Sequence, residues 1–370
     1  MSDSEFPFLQ HAMPSIQSLQ PYVPGKPIEE LERELGIRHS IKLASNENPL
    51  GVSPKVTQAL MDGMRDVARY PDGSSYRLRH RLAEMHGRGA DAITLGNGSN
   101  DVLDMLARVF LGPGDESLFS EYAFAVYPLS SQAVGAKLVC APARDYAHDL
   151  EALQTRITPN TRVIWIANPN NPTGTWLGRD ALHGFLAWVP TDVIVVIDEA
   201  YFEYVEEADY PDATQWLDEF PNLVVTRTFS KAYGLAGLRV GYALSHPVVA
   251  DLLNRVRQPF NVNLLAQCAA LAALDDPQFL EQSVAVNRAG MAQLREGLET
   301  QGVDYIPSVG NFLTLNLHRN AAEVDRALLQ QGVITRPIAG YGLPNHLRVS
   351  IGLEQENARF LTALREVLGR

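Results

Sequence analysis

The chain holds 370 residues, 46% hydrophobic and 20% charged, with 27 glycines and 23 prolines. That balance suits two or three globular domains and excludes wholesale disorder, collagen-like repeats and linker-like chains. The net charge of −12 at pH 7 argues against a global attraction to nucleic acid or anionic lipid, and two distant cysteines, Cys140 and Cys268, argue against a disulfide framework or a zinc knuckle and suit a reducing cytoplasm.

Met1–Phe6 shows no basic region leading into an apolar run, so no secretory signal is expected. Residues 1–45 are Pro-rich at first (Pro14, Pro21, Pro24, Pro27) and then helical over Ile28–Leu35; they read as an arm packed on the rest. From there short apolar runs alternate with amphipathic stretches. The runs are Ala92–Leu95, Ser117–Phe119, Lys137–Ala141, Val163–Ala167, Val193–Ile197, Leu223–Val225 and Val240–Leu244; helices such as Asp101–Phe110 and Arg179–Trp188 lie between them. Val193–Ile197 is apolar on both alternating faces, as a strand covered on both sides requires. Strand–helix alternation predicts an α/β domain over 46–262, three αβα layers around a mostly parallel sheet. After about residue 262 the texture changes. Helices over Leu264–Leu274 and Ser283–Leu298 precede shorter strands at Phe312–Leu317, Val333–Pro337 and Leu347–Ser350, a smaller α+β domain over 263–370. No uncharged apolar stretch reaches the roughly 18 residues that span a bilayer; the longest, Val262–Leu274, is Ala-rich and reads as a buried helix.

Four segments carry chemistry. Gly96-Asn-Gly-Ser-Asn-Asp101 joins a strand to a helix, where free N–H groups form an anion site. It matches neither the P-loop nor the dinucleotide fingerprint, and Gly/Ser turns before helices are common. Asn168-Pro-Asn-Asn-Pro-Thr-Gly174 follows another strand; it is either a plain tight loop or a polar donor aimed at a pocket. Asp198 ends a buried strand, at the edge where open α/β sheets bind ligands. It is either a helix N-cap or a carboxylate that keeps a ligand's ring nitrogen protonated, and Tyr201 can point to the same site. In Thr228–Tyr242 a strand ends in Ser230-Lys231, a Gly-rich turn follows, and Arg239 opens another strand. If this is not an exposed loop, a lysine pushed into a crowded, Gly-lined pocket loses hydration and its free amine becomes a nucleophile. An amine, a carboxylate for a ring nitrogen, a polar turn and a phosphate cradle with Arg239 are together what pyridoxal 5′-phosphate needs.

Beyond these segments the chain resembles the pyridoxal-phosphate aminotransferases of the aspartate-aminotransferase-like fold (fold type I), most closely the histidinol-phosphate aminotransferase branch. The resemblance runs over nearly the whole chain: Pro21-Tyr-Val-Pro-Gly25, Leu43-Ala-Ser-Asn-Glu-Asn-Pro-Leu-Gly51, Arg69-Tyr-Pro-Asp72, Asn170-Asn-Pro-Thr-Gly174, Asp198-Glu-Ala-Tyr201, the Ser230-Lys231 segment and Leu347-Arg-Val-Ser-Ile-Gly352. It implies that Lys231 forms the Schiff base and moves the proton, that Asp198 pairs with the ring nitrogen, and that Asn171 and Tyr201 bond the ring's phenolate oxygen. Ser99, Asn100, Ser230 and Arg239 are then expected to hold the phosphate, with Tyr70 reaching the phosphate of a partner subunit in a homodimer. Phe124, within Tyr122–Tyr127, is expected to stack on the ring, and Arg348 to grip the substrate's anionic group as a fork. Tyr22, Asn46 and Arg336 are expected to line the substrate pocket, and the arm to pack on the small domain and the partner. The implied activity is cytoplasmic transamination between glutamate and imidazole acetol phosphate. Its rivals are an aromatic-amino-acid aminotransferase, a threonine-phosphate decarboxylase, and a non-catalytic binding module, against which the intact Lys231 speaks. The chain departs from the usual family pattern at Asn100-Asp101 and in lacking Pro-Thr before Phe124.

Overall fold

The computed structural model describes residues 7–22 and 24–369. The expectation drawn from Met1–Phe6, and Val23 within the Pro21–Gly25 stretch, lie outside them. Seven strands form the main sheet: β1 Ile93–Gly96, β2 Glu116–Ser120, β3 Lys137–Ala141, β4 Thr161–Ala167, β5 Ile194–Asp198, β6 Leu223–Thr228 and β7 Gly241–Ser245. Their order is β1-β7-β6-β5-β4-β2-β3, and only β7 runs against its neighbours. Alternation along β4 and β5 sends Ile164, Ile166, Val195 and Ile197 into one apolar layer and Val163, Trp165 and Val196 into the other. Both layers are closed by helices, which makes the sequence's doubly apolar runs the middle of a three-layer domain.

A second sheet, β8 Asp304–Ile306, β9 Phe312–Asn316, β10 Arg336–Ile338 and β11 Leu343–Ser350, is antiparallel throughout in the order β8-β9-β11-β10. The long helix Pro277–Thr300 joins the two units: Leu280 packs on the first core, while Met291, Leu294 and Leu298 sit in the second. Among the described residues no helix is long and apolar enough to cross a membrane.

Three local expectations differ from what is observed. The predicted strand Val333–Pro337 breaks at Thr335, whose hydroxyl donates to Asp325 at 2.6 Å; Val333–Ile334 pairs in parallel with Ile41–Lys42, and only Arg336–Ile338 joins the small sheet. Helix Leu264–Leu274 has the expected bounds, but its Ala266, Ala269, Ala270 and Ala273 pack in the large core. It is apolar all round and seeks the deepest burial on offer. Arg239 does not open a strand: β7 begins at Gly241, and Arg239 stands at φ 55°, in the left-handed region. The arm touches both units. Its helix Ile28–Leu35 packs Leu31 with Ala44 and Ile334, and Gln132 donates to the Ser15 carbonyl.

Candidate active site

Strands β1, β2, β4, β5 and β6 all end at the same edge of the sheet, and the reversed β7 begins there. Each strand end therefore delivers its next residues to one place. That place is a cavity of ≈ 170 Å³ lined by Tyr22, Asn46, Ser99, Asn100, Phe124, Asn171, Asp198, Tyr201, Ser230, Lys231, Arg239, Arg336 and Arg348, among others. Every site residue expected from the sequence is there except Tyr70. That ring is 82% exposed and stacks on Phe260 at 4.7 Å.

The Lys231 amine donates to the Ser45 carbonyl at 3.0 Å. Burial, then the charges of Arg348 and Arg239, pull it down to about 7, so much of it is a free amine near neutral pH. Asp198, 4% exposed, is pushed up by burial and held back by its donors: Tyr127 Oη at 2.8 Å and Thr226 Oγ1 at 2.9 Å. Among the described residues no cation pairs with it. Arg348, on β11, donates from Nη1 to Asn171 Oδ1 at 2.5 Å and from Nη2 to the Ala44 carbonyl at 2.7 Å, while its Nε is buried without a partner. Since Asn171 spends its oxygen on Arg348, its amide N–H groups are left for the cavity. Tyr201 Oη accepts from Asn46 Nδ2 at 2.9 Å, which leaves its own proton to donate; burial pushes the phenol up to about 12. Asn46 is locked from behind by Ser350, which accepts from its backbone N–H at 2.7 Å and donates to its Oδ1 at 3.0 Å.

At the far end, helix Ser99–Phe110 starts against Arg239. A Cβ on Gly98 would lie 2.3 Å from Arg239 Nη2, and one on Gly241 would lie 2.4 Å from the Ser99 nitrogen, so glycine alone permits this approach. Arg239 Nη1 donates to Ala236 O at 3.1 Å and Ser230 Oγ at 3.4 Å, which fixes its guanidinium over the helix start. Phe124 lines the cavity edge-on to Tyr127, and Arg336 stands 5.6 Å over the Tyr22 ring at the mouth.

Sequence reasoning missed Tyr127, Thr226, and the Ala44 and Ser45 carbonyls. Thr226 carried one signal, its position directly opposite Asp198 on the neighbouring strand, which appears only once the register of β5 and β6 is known. Tyr127 lay in the segment read for Phe124, three residues on and inside the helix Val126–Ala133. Backbone carbonyls leave no mark in a sequence.

The profile of the family described as "Aminotransferase class I and II" matches residues 38–364. The chain is 58% identical over 363 residues to histidinol-phosphate aminotransferase 2 of Pseudomonas aeruginosa, covering 98% of each protein. It is 54% identical to histidinol-phosphate aminotransferase 1 of Idiomarina loihiensis, over 99% of this chain and 100% of that one. Among solved structures, histidinol-phosphate aminotransferase from Sinorhizobium meliloti in complex with pyridoxal-5′-phosphate is similar with a TM-score of 0.89 at 28% identity, covering 97% of both.

Proposed function

The chain belongs to the class I and II aminotransferase family, and we propose that it moves an amino group from glutamate to imidazole acetol phosphate, giving 2-oxoglutarate and L-histidinol phosphate. The observation that carries this reading is the meeting of Lys231, Asp198, Arg239 and Arg348 in one cavity, in a chain so similar to proteins of that name.

The cavity suits pyridoxal 5′-phosphate on its own chemistry. Asp198, a buried carboxylate in no ion pair among the described residues, would hold the protonated ring nitrogen. The glycine-lined helix start, with Ser99, Asn100, Ser230 and Arg239, would hold the phosphate. Asn171 and Tyr201 have donors to spare for the ring oxygen, Phe124 would cover the ring, and the Lys231 amine would hold the aldehyde carbon. When bound, the cofactor supplies an electron sink for the pair left as the substrate's Cα–H bond breaks.

The chain's own part is binding and proton transfer. Arg348 presents a guanidinium whose geometry suits the paired oxygens of a carboxylate or a phosphate, and Asn171 and the Ala44 carbonyl fix its plane. Tyr22, Asn46 and Arg336 form the rest of the substrate wall. Lys231 Nζ takes the proton at the substrate's Cα; an amine held near 7 can both accept and return it at neutral pH.

Met61, Met64, Val67, Tyr70 and Phe260 leave apolar surface exposed on one stretch of the molecule, which supports a homodimer in which Tyr70 reaches the partner's phosphate site. We divide the chain into an arm (1–45), a large unit from 46 and a small unit ending at 370. The expected boundary at 262/263 moves past the helix Leu264–Leu274, because that helix packs in the large core. A place in the cytoplasm agrees with two unpaired cysteines.

The test is a panel of donors with imidazole acetol phosphate as acceptor. Glutamate should yield histidinol phosphate, and the purified protein should carry a visible absorption band that glutamate bleaches. Turnover of phenylalanine in preference to histidinol phosphate, or release of carbon dioxide, would overturn the assignment.

A further inference from the structure

We propose that Tyr127 and Thr226 are positioning residues that keep Asp198 a weak base, so that the cofactor's ring nitrogen, rather than the carboxylate, retains the shared proton. The inference rests on the pyridoxal-phosphate reading above. Asp198 Oδ2 accepts from Tyr127 and Oδ1 from Thr226, so each oxygen has its own side-chain donor, and the Ala200 N–H adds a third. Every hydrogen bond given to the ionised form lowers a carboxylate's hold on a proton. The other ionisable groups acting on or facing Asp198 are the Lys231 amine and the Tyr201 phenol.

Tyr127 is held through both its ring and its backbone. Its ring is fully buried and stacked on Trp165, with centroids 5.3 Å apart and planes 8° from parallel. Trp165 Nε1 donates to Ser117 Oγ at 2.9 Å, Ser117 and Ser131 share a hydrogen bond at 2.7 Å, and Ser131 Oγ lies 2.7 Å from the Tyr127 carbonyl, which accepts from it. This set of buried groups anchors the Tyr127 ring and backbone while its phenol donates to Asp198. Burial also pushes its ionisation well up, so it donates at any working pH. Thr226 is the register partner of Asp198 and cannot drift without breaking the central pair of strands.

The experiment uses the cofactor-loaded enzyme with Tyr127→Phe, Thr226→Val and Thr226→Ser. Loss of either donor makes Asp198 more basic and the ring less cationic, so the proton on the Lys231 nitrogen is repelled less. The pH midpoint of the visible band should move upward. The cofactor should also leave faster on dialysis, and kcat should fall about tenfold, the scale of one hydrogen bond to a charged group. KM for glutamate should change by less than about twofold, because the substrate's own contacts are untouched. Thr226→Ser, which keeps the hydroxyl, should restore the wild-type midpoint. The proposal is overturned if Tyr127→Phe and Thr226→Val load cofactor and keep the wild-type midpoint and release rate, whatever their melting temperatures. If Tyr127→Phe does not fold, the Thr226 pair decides alone. A wild-type protein with no visible band would instead refute the pyridoxal-phosphate reading itself.

Discussion

Two clusters of buried charge stand back to back on β5 and β6, and they are built on opposite terms. Successive residues of a strand face opposite sides, so Asp198 and Thr226 look into the cavity while their neighbours Glu199 and Arg227 look away. Behind the sheet, Arg227 donates to Glu199 Oε2 from Nε at 2.9 Å and Nη2 at 2.8 Å, and to Asp212 Oδ1 at 2.7 Å, with its guanidinium 3.5 Å over the Phe202 ring. Glu199 spends its other oxygen on the Ala213 N–H at 3.0 Å. That cluster is closed in its hydrogen bonds: one guanidinium serves both carboxylates. In front, Asp198, Lys231, Arg239 and Arg348 are bonded to carbonyls, hydroxyls and an amide, and among the described residues to no charge of opposite sign. Burial of a charge without a counter-charge is costly. A fold that does it for both Asp198 and Arg348 in one cavity, with Lys231 and the half-buried Arg239 beside them, has left room for a ligand's charges, whereas the set behind spends its charges on one another.

The contrast is open to breakage from both sides. The largest effect is expected in front: Lys231→Ala should cut kcat by more than about 10³-fold and remove the visible band. Next comes a crossed pair. Arg227→Met leaves Glu199 buried and unanswered and should cost about 3–5 kcal/mol in denaturant unfolding. Asp198→Asn should cost about 10²- to 10³-fold in turnover while leaving the cofactor-free protein as stable as before or more so. If Asp198→Asn destabilised the cofactor-free protein as much as Arg227→Met does, the two clusters would not differ in kind.

The smallest effect is in the pH dependence of the cofactor-free protein. In the unfolded chain Lys231 titrates near 10.4, and in the fold near about 7. Between those values the unfolded state binds the extra proton, so stability rises with pH across that window and the penalty is complete below it. Lys231→Met, which lacks the amine, should melt a few degrees higher than the parent at pH 7, and the gap should close as pH approaches 10. A gap that stayed constant would mean that the amine is not desolvated.

Much of the front cluster was legible in the sequence because the fold brings strand ends together. Asp198, Ser230-Lys231, Asn171 and Ser99 each follow an apolar run, and a parallel sheet makes those positions neighbours whatever lies between them. Helices Ile28–Leu35 and Leu264–Leu274 were readable to the residue. The closed cluster was not, since Arg227 sits inside an apolar strand and its partners, Glu199 and Asp212, come from other segments. The assignment of Leu264–Leu274 to a unit was also out of reach, because a uniformly apolar helix carries no stripe that says which core it joins. The left-handed turn at Arg239 and its approach to Gly98 join positions remote in the chain.

Residues 44 and 45 hold the two most important cations of the cavity, Arg348 and Lys231, with peptide oxygens and no side-chain atom. The segment that presents them is stitched down on both sides, by Ile41–Lys42 against Val333–Ile334 and by the Ser350 N–H donating to Leu43 O at 2.9 Å. Alanine scanning would therefore pass over these positions in silence, since every residue type carries the same acceptor. What this stretch cannot tolerate is a change of path, such as an inserted residue, which would turn both acceptors away while every signature side chain stayed in the gene.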